Sequence, residues 1–403
     1  IAIRPLFVLA CLAAPLCACT LSFELPPLDD AGTPPARSCP TRAGQPSTRV
    51  TSSAELATAL ATARADSEIL LESGRYELAA SLQLPSGITR LTLRGASSRA
   101  EDVIIDGGDT VTVGLDTNGA TDLLLANLTI QNVTEQAVLI GPGSHRPHIC
   151  NVHLLNAGLT FISAPDGGSG GSDEGIVEQS LVEYTVASRS ELASGISISG
   201  GSGWQIRDNI FRNLITPAGA ASAMGPAILV TEGARDTIAE RNLITNCDRG
   251  ISFGLYDRPE DHRGGVIRNN VIYRAPNAGE QPDVGIHIAQ SPDTKVLHNT
   301  VLLSGTYPSA IEYRFAGTTG ARIEGNLLDA AVRQRENASA TVANNITDAS
   351  PSWFADPARF DFHLTASATR AIDQVPASSD VPDDIDGDAR PRGAASDIGA
   401  DEF

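Results

Sequence analysis

An asparagine, or a close polar stand-in, followed by a short apolar pair recurs nine times between Asn127 and Asn345. The copies are Asn127-Leu-Thr-Ile, Asn151-Val-His-Leu, Ser180-Leu-Val, Asn209-Ile-Phe, Asn242-Leu-Ile, Asn270-Val-Ile, Asn299-Thr-Val, Asn326-Leu-Leu and Asn345-Ile-Thr. The interval wanders around roughly 30 residues, too loose for heptads and suited to stacked structural repeats. A chain patterned this way is expected to be a solenoid.

Each unit carries a second apolar stretch that opens on a small residue: Gly195-Ile-Ser-Ile, Ala227-Ile-Leu-Val, Gly250-Ile-Ser-Phe, Gly285-Ile-His-Ile and Ala310-Ile-Glu-Tyr. A third precedes the asparagine, as in Thr237-Ile-Ala-Glu and Lys295-Val-Leu-His. Three short period-two strands per turn, with no helical periodicity between them, predict an all-β chain coiled as a right-handed parallel β-helix. The asparagine is expected at the tight turn between the second and third strands, where it tolerates a left-handed backbone and its amide bonds neighbouring peptide groups. Stacked copies (Asn209, Asn242, Asn270, Asn299, Asn326, Asn345) would then form an internal amide ladder that satisfies buried polar groups.

Residues 53–65 are alanine-rich and amphipathic, a helix placed to plug the open first rung and its unpaired edge. Glu68-Ile-Leu-Leu, Gly74-Arg-Tyr-Glu-Leu, Leu91-Thr-Leu-Arg-Gly and Val103-Ile-Ile-Asp-Gly-Gly follow. This order resembles the opening of the pectin-lyase-like superfamily of β-helix proteins over about residues 50–350. The resemblance implies the fold; it leaves the activity open.

The expected organisation has four parts. Residues 1–19 read as a signal segment: Arg4 is the positive region, Leu6 to Leu16 the apolar one, and Leu16-Cys-Ala-Cys19 resembles a lipobox whose Cys19 would be lipidated. An exported outer-membrane or cell-surface lipoprotein follows, with simple secretion as the alternative and the lipid as the membrane contact. Residues 20–49, rich in proline, glycine and acid, read as a tether. Residues 50–349 form the β-helix, and residues 350–403 close its C-terminal end, an ending similar to that of many secreted bacterial β-helix repeat proteins. Within that ending, Asp384, Asp386 and Asp388 have oxygen chemistry suited to calcium, with a solvated turn as the alternative. Cys39, Cys150 and Cys247 lack metal-ligand spacing and are odd in number, so Cys150 and Cys247 are expected to serve as small buried hydrophobes. A net charge of −19 argues against nucleic acid as the partner, and a monomer is expected.

The carbohydrate-active relatives that the fold resembles hold substrate along the outer face of the first strand. Aligning the small opening residues gives an outward column Ser197, Leu229, Ser252, His287, Glu312, and the next reads Ser199, Thr231, Gly254, Ala289, Arg314. Titratable groups gather on the last two rungs. There His287 and Glu312 should be neighbours suited to a charge-assisted pair, with Arg314 on the same face. Polar flanking segments add Tyr256, Asp257, Arg258 and His262 on one side and Asp283 on the other, with Gln290 and Tyr313 close by, as candidate substrate contacts; a glycine-rich excursion at 163–175 overhangs an earlier rung.

Lyase chemistry on a uronic acid polymer needs a cation on the carboxylate, a base for the adjacent proton and an acid for the leaving oxygen. Arg314, His287 and Tyr313 or Tyr256 are the candidates. Ile311-Glu-Tyr-Arg-Phe resembles the arginine strand of alginate and chondroitin lyases of this fold. That family's catalytic lysine falls where this chain has Gln290, Lys295 lies about five residues later, and its calcium-binding acidic pair is represented by Asp283 alone, with Gly285 in the other place. The paired aspartates and Gly-His-Gly strand of polygalacturonases are absent. Two functions are therefore expected: binding of acidic polysaccharide, with lyase-like or epimerase-like processing and calcium as its cofactor if catalytic, or a non-catalytic envelope structural or adhesion role.

Overall fold

A computed structural model describes residues 38–168 and 170–403. The signal segment, the Cys19 lipobox and the first part of the tether lie outside the described residues.

The chain coils as a parallel β-helix. One sheet stacks ten strands, from Leu82–Gln83 through Ser194–Ser199, Ile228–Thr231, Ile251–Phe253, Ile286–Ala289 and Ser309–Arg314 to Ala331–Gln334. A second, 20-stranded sheet carries the other two strands of each turn. Pairing within both is parallel, with a register shift at Ser309/Ile311 against the last front strand, and Ile196, Ile228, Ile251, Ile286 and Ile311 form one inward stack. All five are essentially inaccessible to solvent. The small residue that opens each front strand is a steric requirement: a Cβ on Gly285 would fall 2.5 Å from the Val301 side chain and 3.0 Å from the Ala310 carbonyl.

The asparagines form the expected ladder. Asn242 donates its Nδ2 to Asn270 Oδ1 at 2.9 Å, Asn270 repeats this to Asn299 at 2.9 Å and Asn299 to Asn326 at 3.0 Å. Each Oδ1 also accepts the backbone N–H of the asparagine one rung back, from Asn209 to Asn326, whose acceptor is Asn345. Ser180 continues the row: its N–H reaches Asn209 Oδ1 and its Oγ accepts from Val152 N.

Two details differ from expectation. The left-handed residue is the one before each ladder asparagine (Asp208, Arg241, Asn269, His298, Gly325, Asn344), because the ladder side chain must point inward from an extended backbone. Asn127 and Asn151 stand one position earlier in the rung. They are themselves the left-handed corner, and they bond each other beside Ser98 outside the ladder.

The ends also differ. The helix runs over Ser53–Ala61, shorter than expected, with Ser52 as its cap and Glu55 bonding back to Thr51 N. It buries Leu56, Ala59 and Leu60 against the first rung. Ser47–Val50, which begins inside the expected tether, already pairs in parallel with Glu68–Leu71. Cys39 is held by a disulfide to Cys150, which corrects the reading of Cys150 as only a small hydrophobe; Cys247 is buried and unpaired. Residues after Ser350 pack along the flank of the coil rather than across its end. Phe354, Phe360, Phe362 and Ile398 lie with outward Leu243, Val271, Leu327 and Ile346. Asp380 and Asp383 pair with Lys295, Arg322 and Arg241 on the same flank, and Arg390 bonds Glu402 inside the tail, both essentially buried.

Candidate functional site

The front-sheet register stacks Ser197, Leu229, Ser252, His287 and Glu312 in one outward column, with Arg333 on the following rung. Ala289 pairs with Arg314 two residues farther along. Because alternate residues face opposite sides of a strand, His287, Glu312 and Arg314 line one cleft of about 120 Å³ with Ser252, Asp283 and Tyr307.

The cleft is rich in ion pairs. Arg314 grips Glu336 with two bonds of 2.6 Å, Arg335 donates to Glu312 at 2.8 Å, and Arg249 to Asp283 at 2.6 Å. Glu312 is 2 % exposed, and its carboxylate also has Tyr307 Oη at 3.5 Å. The expected His287–Glu312 ion pair is not made: the register places them side by side, but the carboxylate turns to arginines and His287 to Ser252 Oγ at 3.1 Å. Burial, assisted by the nearby Arg314, pulls the imidazole down to about 4, so His287 is neutral at neutral pH. Burial and the carboxylates Asp283 and Glu312 push the Tyr307 phenol up to about 12.

Other expected site residues lie elsewhere. Tyr313 points into the core, because it alternates with Glu312 and Arg314, so it is no cleft proton donor. His262 is fully buried against Phe253, its ring 4.4 Å away, and burial drops it to about 3. It cannot reach a surface ligand. Tyr256 is exposed under the Arg258 guanidinium, which pairs with Glu232, while Asp257 accepts from Gln290. Tyr256, Asp257, Arg258 and Gln290 are not among the residues that line the cleft. Lys295, committed to Asp380 on the flank, cannot substitute for a lysine at Gln290.

Asp384, Asp386 and Asp388 do not converge on a cation. Asp384 turns inward and accepts the N–H groups of Asp386 and Asp388, Asp388 pairs with Arg392, and Asp386 pairs with His363. His363, Asp386 and Asp401 do offer ligand atoms near one another. There the hydrogen bond to Asp386 leads the effects that raise His363 to about 10.

Sequence reasoning overlooked Arg249, Tyr307, Arg335 and Glu336. Extending the two outward columns by one rung, into Ala331-Val-Arg-Gln-Arg, reaches Arg333 and Arg335. Arg249 and Tyr307 come from connecting turns and have no such periodic signal.

The family model described as the right handed beta helix region matches residues 113–350. The chain belongs to this family. That match spans the rungs of the ladder and of the cleft, and gives the β-helix its hand. A pectate lyase, Pel9A, has a similar structure: 14 % identity, 89 % of this chain and 97 % of that one covered, TM-score 0.50. An alginate lyase from Paenibacillus sp. str. FPU-7 is similar at 16 % identity over 74 % of this chain and 97 % of that one, TM-score 0.42. A tailspike protein of E. coli bacteriophage HK620, solved with a hexasaccharide, is similar at 14 % identity over 70 % of this chain and 53 % of that one, TM-score 0.46. No curated protein sequence matches. At these identities the likeness is one of fold.

Proposed function

We propose that this β-helix binds acidic polysaccharide along its front sheet, with the His287–Glu312–Arg314 cleft as the seat of one uronate residue. The observation that carries the reading is the Arg314–Glu336 pair. It is a bidentate arginine–carboxylate contact at the cleft mouth, with the two side chains 25 % and 39 % exposed. A sugar carboxylate can replace Glu336 on the same fork without leaving a buried charge behind, and the planar guanidinium favours such an anion over a neutral sugar.

Binding without turnover is the form the residues favour. Gln290 is occupied by Asp257, Lys295 lies on the flank and Tyr313 faces inward, so the cleft holds no lysine, and its one phenol, Tyr307, is not a tyrosine that the lyase reading named. This brings the non-catalytic envelope role closer, with glycan as its partner. The Cys39–Cys150 disulfide supports export, since such bonds persist in oxidising compartments; lipidation of Cys19 would hold the protein at the membrane.

The test is affinity of the purified full chain for pectate, alginate and a glycosaminoglycan against a neutral glucan, with ultraviolet detection of unsaturated products, with and without calcium. Preference for the acidic polymers without product supports binding alone. Product release would restore the lyase reading, and equal or absent binding would sink the acidic-glycan one.

A further inference from the structure

The hydrogen bonds behind the cleft fix which nitrogen of His287 carries its proton. Ser252 Oγ donates its only hydrogen to the Gly254 carbonyl at 2.7 Å. Toward His287 Nδ1, 3.1 Å away, the hydroxyl can therefore only accept, so Nδ1 must be the protonated nitrogen. In a neutral imidazole the other nitrogen, Nε2, is then a bare lone pair. Nε2 is buried and has no hydrogen-bond partner among the described residues, in a residue that lines the cleft. A buried acceptor left unpaired costs free energy until a donor arrives.

The surroundings narrow what that donor can be. Facing His287 are Arg249, Arg314 and Arg335, each held by a carboxylate (Asp283, Glu336 and Glu312 respectively), and the Tyr307 hydroxyl near Glu312. An arriving anion finds its cation at Arg314; at His287 it would meet a lone pair. We propose that His287 Nε2 is the hydrogen-bond acceptor for a hydroxyl of the bound sugar, and that Ser252 is the positioning residue that holds the imidazole in the accepting tautomer. This rests on the cleft being a glycan seat. It makes the ligand a sugar that presents a hydroxyl donor beside its carboxylate. Adjacent front strands put the Cα atoms of His287 and Arg314 about 8 Å apart on the diagonal, a span for one ring to bridge.

His262 provides an internal control. Its Nδ1 bonds Ser291 Oγ at 2.9 Å and its Nε2 is likewise unpartnered, but it is fully buried and outside the cleft. Long-range proton–nitrogen spectra of the full-length chain with labelled histidine should show Nδ1 protonated and Nε2 bare in both residues. Adding pectate or alginate oligomers should then move Nε2 of His287 and leave His262 unmoved. His287→Asn keeps a donor toward Ser252 but removes Nε2, and should weaken oligomer binding by about tenfold, the value of one well-made hydrogen bond. His287→Gln, which returns an acceptor near that point, should recover part of it, and Ser252→Ala should mix the two tautomers.

A wild-type His287 protonated at Nε2 would overturn the assignment whatever binds. Oligomer binding that spares the His287 signal, or that His287→Asn leaves intact, overturns the acceptor role while the glycan reading survives. No binding by wild type, with the Nδ1–H tautomer observed, removes the glycan reading and the hydroxyl assignment with it.

Discussion

The asparagine ladder and the cleft column are made by the same operation, the stacking of equivalent positions one rung apart, and they end in opposite states. In the ladder one residue type repeats from Asn209 to Asn345, and each carboxamide both donates to and accepts from its neighbours. In the column every rung differs (Ser197, Leu229, Ser252, His287, Glu312), and one buried nitrogen is left unpaired. Repetition gives saturation, and saturation leaves nothing for a ligand to complete. In this solenoid the place to look for function is where the repeat is broken while the geometry is kept.

The largest effect that separates the two is pH. Amides do not titrate, whereas burial holds His287 in the column down at about 4, and His262 and His298 outside both the column and the amide row at about 3, against an ordinary value of 6.5. A depressed histidine leaves the unfolded chain binding more protons than the folded one below that ordinary value. The stability contribution is therefore complete above about pH 6.5 and is lost as pH falls toward 3, at about 1.4 kcal/mol for each tenfold change in proton affinity. Thermal melts should fall steeply across this window. His363 works in the opposite sense: raised to about 10, its contribution is complete below 6.5 and fades as pH climbs through 10. An acid limb that stays flat would mean that these imidazoles are hydrated in solution.

Next in size is the ladder itself. Asn270→Ala removes the acceptor of Asn242 N and Nδ2 and the donor to Asn299, all within the buried interior. It should cost about 1 to 3 kcal/mol, because the partners it leaves behind are unsatisfied. The melting curve should shift down in parallel at every pH, with oligomer binding at the cleft unchanged. Loss of binding in a folded Asn270→Ala protein would show that the two regions are coupled and break the comparison.

What was legible in the sequence follows the same division. Period-two alternation and the recurring asparagine gave the parallel coil, the inward isoleucine stack and the outward columns down to individual partners, because one register propagates through every rung. That legibility ends where the chain leaves the register. Tyr256 and Asp257 sit in the connection that leads to the two-residue strand His262–Arg263, yet Tyr256 is exposed and His262 fully buried, a choice made by packing on Phe253. The tail's position along the flank depends on outward Leu243, Val271 and Leu327 being apolar, a signal present in the repeats but masked by the stronger inward one. Tyr313 could have been excluded from the cleft by the same alternation that selected Glu312 and Arg314.

At the cleft the effects are smaller and belong to binding. Arg314→Ala should lower affinity for pectate or alginate oligomers about tenfold, roughly the value of one charge-assisted contact. Its melting temperature should hardly move, since an exposed pair contributes about 0 to 1 kcal/mol. A matching loss for a neutral glucan would show that Arg314 shapes the cleft instead of reading charge.

The smallest effect is the most pointed. Glu336 occupies the Arg314 fork, at a left-handed position on the exposed edge beyond the last front strand, and Arg314 holds its carboxyl below the ordinary range. If it is the stand-in for a sugar carboxylate, Glu336→Gln weakens the competitor and leaves the guanidinium available, so oligomer affinity should rise, by at most about fivefold given what exposed pairs contribute. The gain should vanish in an Arg314→Ala background, where nothing remains to compete for. A fall in affinity instead would mean that Glu336 positions Arg314 for the ligand. The last rung would then be a saturated structural contact like the ladder, and the broken repeat would end at His287.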